Sequence, residues 1–171
     1  MRKIILQVAV SLDGFIEGPK GEIDWCFTDQ DYGLKDFFKQ TDTLFMGRKT
    51  YELMLRMGDE ATVGFPKFKQ YIFSTTLNKV NDGIIIRDNI QTEVQKIKNE
   101  KGKDIWLFGG GDLTSSLMNL KLVDEIWLAV HPVILTGGKP IFYNLKERVS
   151  LKLLDTKTYS TGLVFLKYSI E

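Results

Sequence analysis

Short apolar runs alternate with amphipathic segments along most of the chain, and this alternation predicts the fold class. Uninterrupted apolar runs predict buried strands at residues 3–10, 43–46, 69–73, 84–86, 104–108 and 125–130. Helical spacing of apolar positions predicts helices at residues 31–40, 48–57, 91–100 and 112–120. Strands that alternate with helices favour a mostly parallel sheet with helices on both faces, a three-layer α/β/α sandwich.

The two ends of the chain depart from this alternation. Residues 150–158 and 162–170 alternate apolar and polar positions around a Ser-Thr-Gly turn, which predicts an antiparallel hairpin at the edge of the sheet. Residues 11–30 contain several glycines and a proline and predict a long irregular loop, and residues 132–140 predict a second loop. Loops of such length in a compact domain are often functional lids.

Two glycine-marked turns carry the strongest chemical signal. Residues 46–52 read Met-Gly-Arg-Lys-Thr-Tyr-Glu, and residues 108–114 read Phe-Gly-Gly-Gly-Asp-Leu-Thr. Each turn follows a predicted strand and precedes a predicted helix, so each helix start has free backbone N–H groups that attract anions. Two such sites suit a ligand with two or three phosphates, and a dinucleotide is the obvious candidate.

Each turn also has a purely structural interpretation. Gly109-Gly110-Gly111 allows close approach of a pyrophosphate, or it forms only a tight strand-to-helix turn. It is not the G-x-G-x-x-G fingerprint, because Leu113 and Thr114 follow, and the common Rossmann fold is therefore not supported. Arg48 and Lys49 oppose the helix dipole unless an anion binds, or they form a solvated basic turn.

Other residues have two open interpretations. Ser74-Thr75-Thr76 ends a strand and either caps it or, beside Arg48, holds the 2′-phosphate that distinguishes NADP from NAD. Asp13 either forms an Asp-Gly turn or handles a proton in catalysis. Asp31 either caps a helix or handles that proton. Trp25 and Phe27 either belong to the core or line a pocket for a flat ring. A carboxylate enclosed by them would have its pKa raised by desolvation.

Composition narrows the class of protein. The 171 residues predict a single domain over 1–171, and a net charge of +1 argues against a nucleic-acid or membrane-surface binder. The single cysteine, Cys26, excludes an internal disulfide and fits a reducing, cytoplasmic compartment. The sequence has no metal-ligand motif and no P-loop, and its only histidine, His131, is most simply structural. We therefore expect no metal and no membrane segment.

The motifs together resemble a known family. Residues 8–16, 46–52, 74–76, 108–111 and 122–126 resemble dihydrofolate reductase in order and spacing. Residues 11–14 and 132–142 are more similar to the reductase domain of the bifunctional riboflavin-biosynthesis deaminase-reductase. The chain resembles a free-standing domain of that branch, whose reaction is the reduction of 5-amino-6-(5-phosphoribosylamino)uracil.

The resemblance implies a central mixed sheet with NADPH along the ends of its strands. It places phosphates at Gly47 to Thr50, the 2′-phosphate at Arg48 with residues 74–76, and the pyrophosphate at Gly109 to Leu113. Ala9 and Ile16 would face the nicotinamide. The residues assigned to the cofactor are Ala9, Ile16, Gly47, Arg48, Lys49, Thr50, Ser74, Thr75, Thr76, Phe108, Gly109, Gly110, Gly111, Asp112, Leu113 and Thr114.

The substrate and the assembly follow less directly. Asp31 lies where dihydrofolate reductase has an acidic residue. Where dihydrofolate reductase has an aromatic residue beside that acid, this chain has Lys35, and where it has an accompanying hydroxyl residue, this chain has Ala129. We therefore expect an NADPH-dependent reductase of a small heterocycle, carbonyl or imine, with Asp13 or Asp31 catalytic and Trp25 and Phe27 near the substrate. The alternatives are a dihydrofolate reductase and an NADPH-binding protein without turnover. The family likeness and the apolar hairpin predict a homodimer.

Overall fold

The structure of the chain, a computed structural model, describes residues 1–58 and 62–171. Its strands are β1 (Ile4–Ser11), β2 (Phe15–Glu17), β3 (Thr41–Gly47), β4 (Lys69–Phe73), β5 (Ile84–Ile86), β6 (Asp104–Gly109), β7 (Glu125–His131), β8 (Lys139–Pro140), β9 (Leu151–Thr158) and β10 (Val164–Ile170). Its helices are α1 (Leu34–Gln40), α2 (Arg48–Met57), α3 (Ile90–Asn99) and α4 (Gly111–Asn119).

One eight-stranded sheet forms the middle layer, in the order β5-β4-β3-β6-β1-β7-β10-β9. The strands from β5 to β7 are parallel, and β10 and β9 join them antiparallel. A parallel strand needs a crossover to reach its neighbour, and the helices supply these crossovers. The α/β prediction with a parallel sheet and an antiparallel C-terminal hairpin is confirmed.

Two apolar cores lie on opposite faces of this sheet. Alternate residues of β1 point to opposite faces, so Ile4 and Leu6 pack with α3 and α4, whereas Ile5 belongs to the core that contains α1 and α2. We refer to these as the α3/α4 face and the α1/α2 face. Phe37 of α1 contacts Trp106 and Trp127 with ring centroids 5.4 and 5.3 Å apart, which fixes α1 above the central strands.

The predicted helix over 31–40 is wrong at its start. Tyr32 and Gly33 have left-handed φ values of 49° and 88°, which no helix can continue, and α1 begins at Leu34. The Asp31 carboxylate accepts hydrogen bonds from the backbone N–H groups of Gly33 and Lys35, at 3.1 and 3.0 Å. Asp31 therefore stabilises the turn that leads into the helix, as the capping interpretation expected.

The two loops predicted at 11–30 and 132–140 are not wholly irregular. Each contributes a short strand, β2 and β8, and these strands pair antiparallel in a separate two-stranded sheet. Gly138, at φ 125°, would place a Cβ only 2.0 Å from the carbonyl oxygen of Glu17, so the pairing requires glycine there. Strands of two and three residues have no measurable periodicity, and the pairing depends on tertiary contacts.

His131 holds the segment that carries Trp25 and Phe27 against the end of β7. Its side chain is buried, with an exposed fraction of 3%. Nε2 accepts the backbone N–H of Phe27 at 3.1 Å, so the ring proton is on Nδ1, which donates to the Ala129 carbonyl at 2.9 Å. The rings of Trp25 and Phe27 pack on the imidazole with centroids 5.2 and 5.0 Å away. The hydrogen bond accepted at Nε2 requires the neutral ring, and the structural role expected of this histidine matches its contacts.

This clamp makes stability depend on pH. Burial lowers the pKa of His131 below its ordinary 6.5, so the unfolded chain binds a proton that the folded chain does not. The contribution of the neutral His131 side chain to the free energy of unfolding is complete above pH 6.5. It is lost as the pH falls from 6.5 through the lowered pKa of the folded state. We expect His131→Phe to lose about 1–3 kcal/mol at pH 8 and to show a smaller further loss between pH 7 and pH 5 than wild type.

Chemical denaturation of both proteins across this pH range measures the effect, because their carboxylates are the same and cancel in the difference. Parallel pH dependence of the two proteins would contradict a neutral His131 clamp.

Candidate functional site

A cleft lies where the parallel strands β3, β4, β5 and β6 end. Its volume is about 350 Å³. The carboxyl ends of parallel strands in an open sheet are where such folds bind ligands. The lining residues are Gly47, Arg48, Lys49, Thr50, Phe73, Ser74, Thr75, Thr76, Ile86, Arg87, Ile90, Gly110, Gly111, Asp112, Leu113, Ser116 and Lys139. The cleft brings together most of the residues assigned to a dinucleotide from the sequence.

Two helix starts open into this cleft without side-chain caps. The N-cap residues of α2 and α4 are Gly47 and Gly110, so neither helix has a side-chain hydrogen bond from its N-cap residue. Gly47 has an extended backbone that any residue adopts, and a Cβ there would be 3.8 Å from its nearest neighbour. The fold does not itself require glycine at this position. Glycine leaves the N–H groups of both helix starts accessible to an anion.

The glycine triplet combines structural and ligand-related reasons. Gly109 has a φ of 111°, which favours glycine, and a cis peptide bond joins it to Gly110. A Cβ on Gly111 would lie 2.5 Å from the Tyr143 ring, so packing requires that glycine. A Cβ on Gly110 would meet only the ends of the Thr50 and Lys139 side chains, at 3.2 and 3.4 Å. The tight-turn interpretation accounts for Gly109 and Gly111, and Gly110 faces the cleft.

Positive charge predominates along the cleft. Its lining has four cationic side chains, Arg48, Lys49, Arg87 and Lys139, and one carboxylate, Asp112. Lys49 Nζ lies 3.5 Å from an oxygen of Asp112. The Tyr143 hydroxyl donates to the same carboxylate and lowers its pKa, while burial raises the pKa of Tyr143 to about 12. Asp112 is thereby kept as an anion, and the tyrosine as a neutral donor.

The arginines differ in how far they are already engaged. Arg48 Nη1 donates to both oxygens of Glu52, one helical turn further along α2, at 2.9 and 3.0 Å. Arg87 Nη2 makes a single long contact of 3.5 Å to the Asn78 carbonyl. Arg87 is therefore the arginine with most of its hydrogen-bonding capacity available to a ligand.

The hydroxyl turn lies next to Arg87. Phe73 of β4 pairs with Ile86 of β5, so the residues that follow them, Ser74 and Arg87, leave the sheet side by side. The Ser74 hydroxyl oxygen accepts the backbone N–H groups of Thr76 and Leu77 at 3.2 and 3.0 Å, as the capping interpretation expected. The hydroxyls of Thr75 and Thr76 remain at the exposed edge of the cleft.

The sequence analysis did not identify Arg87 or Lys139. The sequence does contain a signal for Arg87: it directly follows the predicted strand 84–86, just as Gly47 and Gly109 directly follow predicted strands. Lys139 has no such signal. It reaches the cleft only because β8 pairs with β2, and its Nζ lies 3.9 Å from Glu17.

Five residues assigned to the cofactor do not line the cleft: Ala9, Ile16, Phe108, Gly109 and Thr114. Thr114 is buried inside the first turn of α4, and its N–H donates to the Gly110 carbonyl. Ile16 packs against the core on the α3/α4 face. Ala9 and Phe108 lie on the α1/α2 face of central strands and are both partly exposed. The structure thus places these two beside the cleft rather than in it.

The expectation of a raised carboxylate pKa is wrong for Asp13. Its carboxylate is exposed and accepts the Ser11 hydroxyl at 2.7 Å and the backbone N–H groups of Leu135 and Thr136 at 3.1 and 2.8 Å. The Ser11 hydrogen bond, aided by those from the backbone, lowers the pKa of Asp13. Asp13 joins the end of β1 to the loop 132–138, which agrees with the structural interpretation of this turn.

Trp25 and Phe27 lie on the α1/α2 side of the sheet end, held by His131. Trp25 is partly buried and its indole N–H donates to the Glu22 carbonyl at 3.2 Å. Phe27 is 36% exposed, and its ring is 6.2 Å from that of Tyr32. Neither ring encloses Asp13, whose hydrogen-bond partners are Ser11 and the loop at 135–136.

No cluster of potential metal ligands is found within residues 1–58 and 62–171. Burial raises the pKa of the Cys26 thiol to about 11, so this thiol is protonated at neutral pH and a poor nucleophile. Over the same described ranges, none of the helices is of the length and apolar character that crossing a membrane requires.

Comparison with known proteins agrees with this architecture. The chain is 46% identical to the uncharacterized protein YyaP of Bacillus subtilis strain 168, over 98% of this chain and 94% of that protein. A putative riboflavin biosynthesis protein from Shewanella sp. PV-4 superposes with a TM-score of 0.86 at 23% identity, covering 100% of this chain and 99% of that one.

A dihydrofolate reductase from Enterococcus faecalis complexed with NADP(H) superposes with a TM-score of 0.71 at 16% identity, covering 99% and 96%. These two likenesses to solved structures show a common fold. The family model that describes the RibD C-terminal domain matches residues 2–165. This chain therefore belongs to the RibD C-terminal domain family.

Proposed function

We propose that the protein is an NADPH-dependent reductase that transfers hydride to a small heterocyclic substrate or to a related carbonyl or imine. The observation that carries the proposal is the cleft in which two uncapped helix starts meet four cationic side chains. Membership of the RibD C-terminal domain family supports a substrate of the aminouracil type. NADPH, when bound, supplies the hydride, and the protein contributes binding, orientation and a dry site. We assign the reaction to the cytoplasm, where a lone cysteine stays reduced.

The residues of the cleft fit the phosphates of such a cofactor. The N–H groups at the starts of α2 and α4 face the same space, and they suit a pyrophosphate that bridges two helix dipoles. Arg87 and the hydroxyls of residues 74–76 form a separate polar group beside β4 and β5, which suits a 2′-phosphate. We retain Arg48 as a second arginine for this phosphate, in competition with its partner Glu52.

Cofactor preference tests the assignment. Arg87→Ala removes charge-assisted hydrogen bonds of roughly 1.5–3 kcal/mol, so NADPH affinity should fall about 10–150-fold while NADH affinity stays unchanged. Arg48→Ala should act in the same direction, with a smaller loss because Glu52 competes for the guanidinium. Fluorescence titration of both cofactors measures the change, with the exposed Arg56→Ala on α2 as the control.

Wild-type protein that binds NADH as tightly as NADPH would rule out the 2′-phosphate site. A loss of both cofactors alike in Arg87→Ala would show that this arginine contacts another part of the ligand.

The source of the proton is the second part of the proposal, and Asp13 and Asp31 are its candidates. Each carboxylate already accepts hydrogen bonds from two backbone N–H groups and so has a structural role. A catalytic role of either aspartate would be additional to this structural role. Proton-transfer assistance is worth about 10²–10⁴-fold in rate, so the Asp→Asn variant of the working acid should lose that much turnover and keep NADPH affinity.

Steady-state kinetics with 5-amino-6-(5-phosphoribosylamino)uracil measure the two variants against Asp29→Asn. If both variants retain wild-type turnover, neither aspartate is the acid and solvent supplies the proton. Turnover with dihydrofolate alone would favour the dihydrofolate reductase alternative, and NADPH binding without any turnover would favour a binding protein.

We also propose that the protein is a homodimer joined through its C-terminal hairpin. β9 lies at the end of the sheet, and all eight of its residues are exposed, including Leu151, Leu153 and Leu154 at 39%, 51% and 49%. An exposed apolar edge strand pairs or aggregates unless it is covered, and a second copy provides a cover.

Light scattering at micromolar concentration should give twice the monomer mass. Leu153→Asp should shift the protein to monomer, whereas Leu55→Asp on α2, at a similarly exposed leucine of 49%, should leave the mass unchanged. A monomeric wild type contradicts this assembly.

A further inference from the structure

Gln7 is a buried polar residue in the middle of β1 that nothing in the fold explains. Its exposed fraction is 9%, and it pairs in register with Trp127 of β7. Its backbone carbonyl accepts the indole N–H of Trp106 at 3.0 Å. Among the residues that the structure describes, its side-chain amide makes no hydrogen bond. A buried amide without a partner costs stability, so an apolar residue would serve the fold better here.

The Gln7 side chain lies on the α1/α2 face of the sheet. Alternation along β1 places Gln7 on the same face as Ile5, which packs in the α1/α2 core. Within the described ranges no fully enclosed side-chain nitrogen or oxygen lacks a partner, so the Gln7 amide keeps a small contact with solvent. The cover that α1 and α2 provide over this point of the sheet is therefore incomplete.

The neighbours of Gln7 show the same incomplete cover. Ala9 and Ala129 are register partners at the next position along this face, and Ala129 is buried with an exposed fraction of 7%. Ala9 is partly exposed although it lies on a central strand. Phe108 directly follows Leu107, the register partner of Leu6, so it lies beside Gln7 if the register continues, and it is also partly exposed. The floor that these residues form is apolar, with two alanines next to Phe108 and one amide.

The aromatic segment lies at the edge of this floor. His131 donates to the carbonyl of Ala129, one of the two alanines, and its other nitrogen holds Phe27. The rings of Trp25 and Phe27 are therefore fixed beside the alanine pair rather than in the phosphate-binding cleft. A flat ring laid on the alanines would have aromatic neighbours at one side and the Gln7 amide at the other.

We propose that Gln7 is a specificity-determining residue that recognises the lactam edge of a planar heterocyclic substrate. A carboxamide presents one N–H donor and one carbonyl acceptor side by side, and a ring –NH–CO– edge presents the complementary pair. A site built around a hydrogen-bonding group rejects analogues that lack the matching group. This inference rests on the proposed reductase function, since it names the chemistry of that substrate.

The test uses lumazine, a dioxopteridine with two lactam edges, and 1,3-dimethyllumazine, which lacks both ring N–H groups. Two neutral hydrogen bonds are worth about tenfold to a hundredfold in affinity, so wild type should bind lumazine that much more tightly than its dimethyl derivative. Gln7→Met, of similar length without hydrogen-bonding capacity, should lose this preference. Calorimetric titration measures both ligands, and Gln91→Met at an exposed position of α3 is the control.

Two further readouts separate recognition from a structural role. Gln7→Met should keep wild-type NADPH affinity, and its melting temperature should be equal to or higher than that of wild type, because an unpaired amide leaves the sheet. A lower melting temperature together with an unchanged lumazine preference would assign Gln7 to the fold and overturn the proposal. So would a wild type that binds both pteridines equally or binds neither. Failure of NADPH to bind, with the lumazine preference intact, overturns the cofactor assignment alone.

Discussion

The pairing of β3 with β6 is the contact on which the site depends. The two strands are far apart in sequence, yet they are neighbours in the sheet, with Phe45 opposite Leu107 and Met46 opposite Gly109. Each ends in a glycine and is followed at once by a helix, α2 on one face and α4 on the other. Parallel pairing therefore brings two helix starts to one edge of the sheet, and the cleft at that edge follows from the topology.

The elements of this edge were predictable from sequence because their signals are local. Apolar runs that stop at glycine, followed by helical spacing, define β3–α2 and β6–α4 without any tertiary information. For the same reason the observed bounds of α2, β4 and β5 equal the predicted ones. The lining of the cleft by residues 47–50, 74–76 and 110–113 follows from this placement of strand ends.

The remaining features depend on contacts between distant segments. β2 pairs with β8 across more than a hundred residues, and this brings Lys139 into the cleft. The Asp13 carboxylate accepts the Ser11 hydroxyl and, across more than a hundred residues, the backbone N–H groups of the loop at 135–136, and together these lower the pKa that the sequence led us to expect raised. Gln7 is a single polar residue in an apolar run. Only its unpaired side-chain amide, next to Ala9 and Ala129 on one face of the sheet, distinguishes it. Composition and residue spacing do not predict which distant residues these side chains contact.

The contact between Lys49 and Asp112 has a consequence for how a large ligand enters. These side chains join the start of α2 to the start of α4 across the mouth of the cleft, and they are 70% and 67% exposed. Ion pairs this exposed contribute about 0–1 kcal/mol, which is comparable with thermal energy. Rotation of these two side chains is enough to break the contact, without any movement of the backbone. For the proposed cofactor, Lys49 would exchange the Asp112 carboxylate for a phosphate, so the same lysine that spans the mouth would hold the ligand inside it.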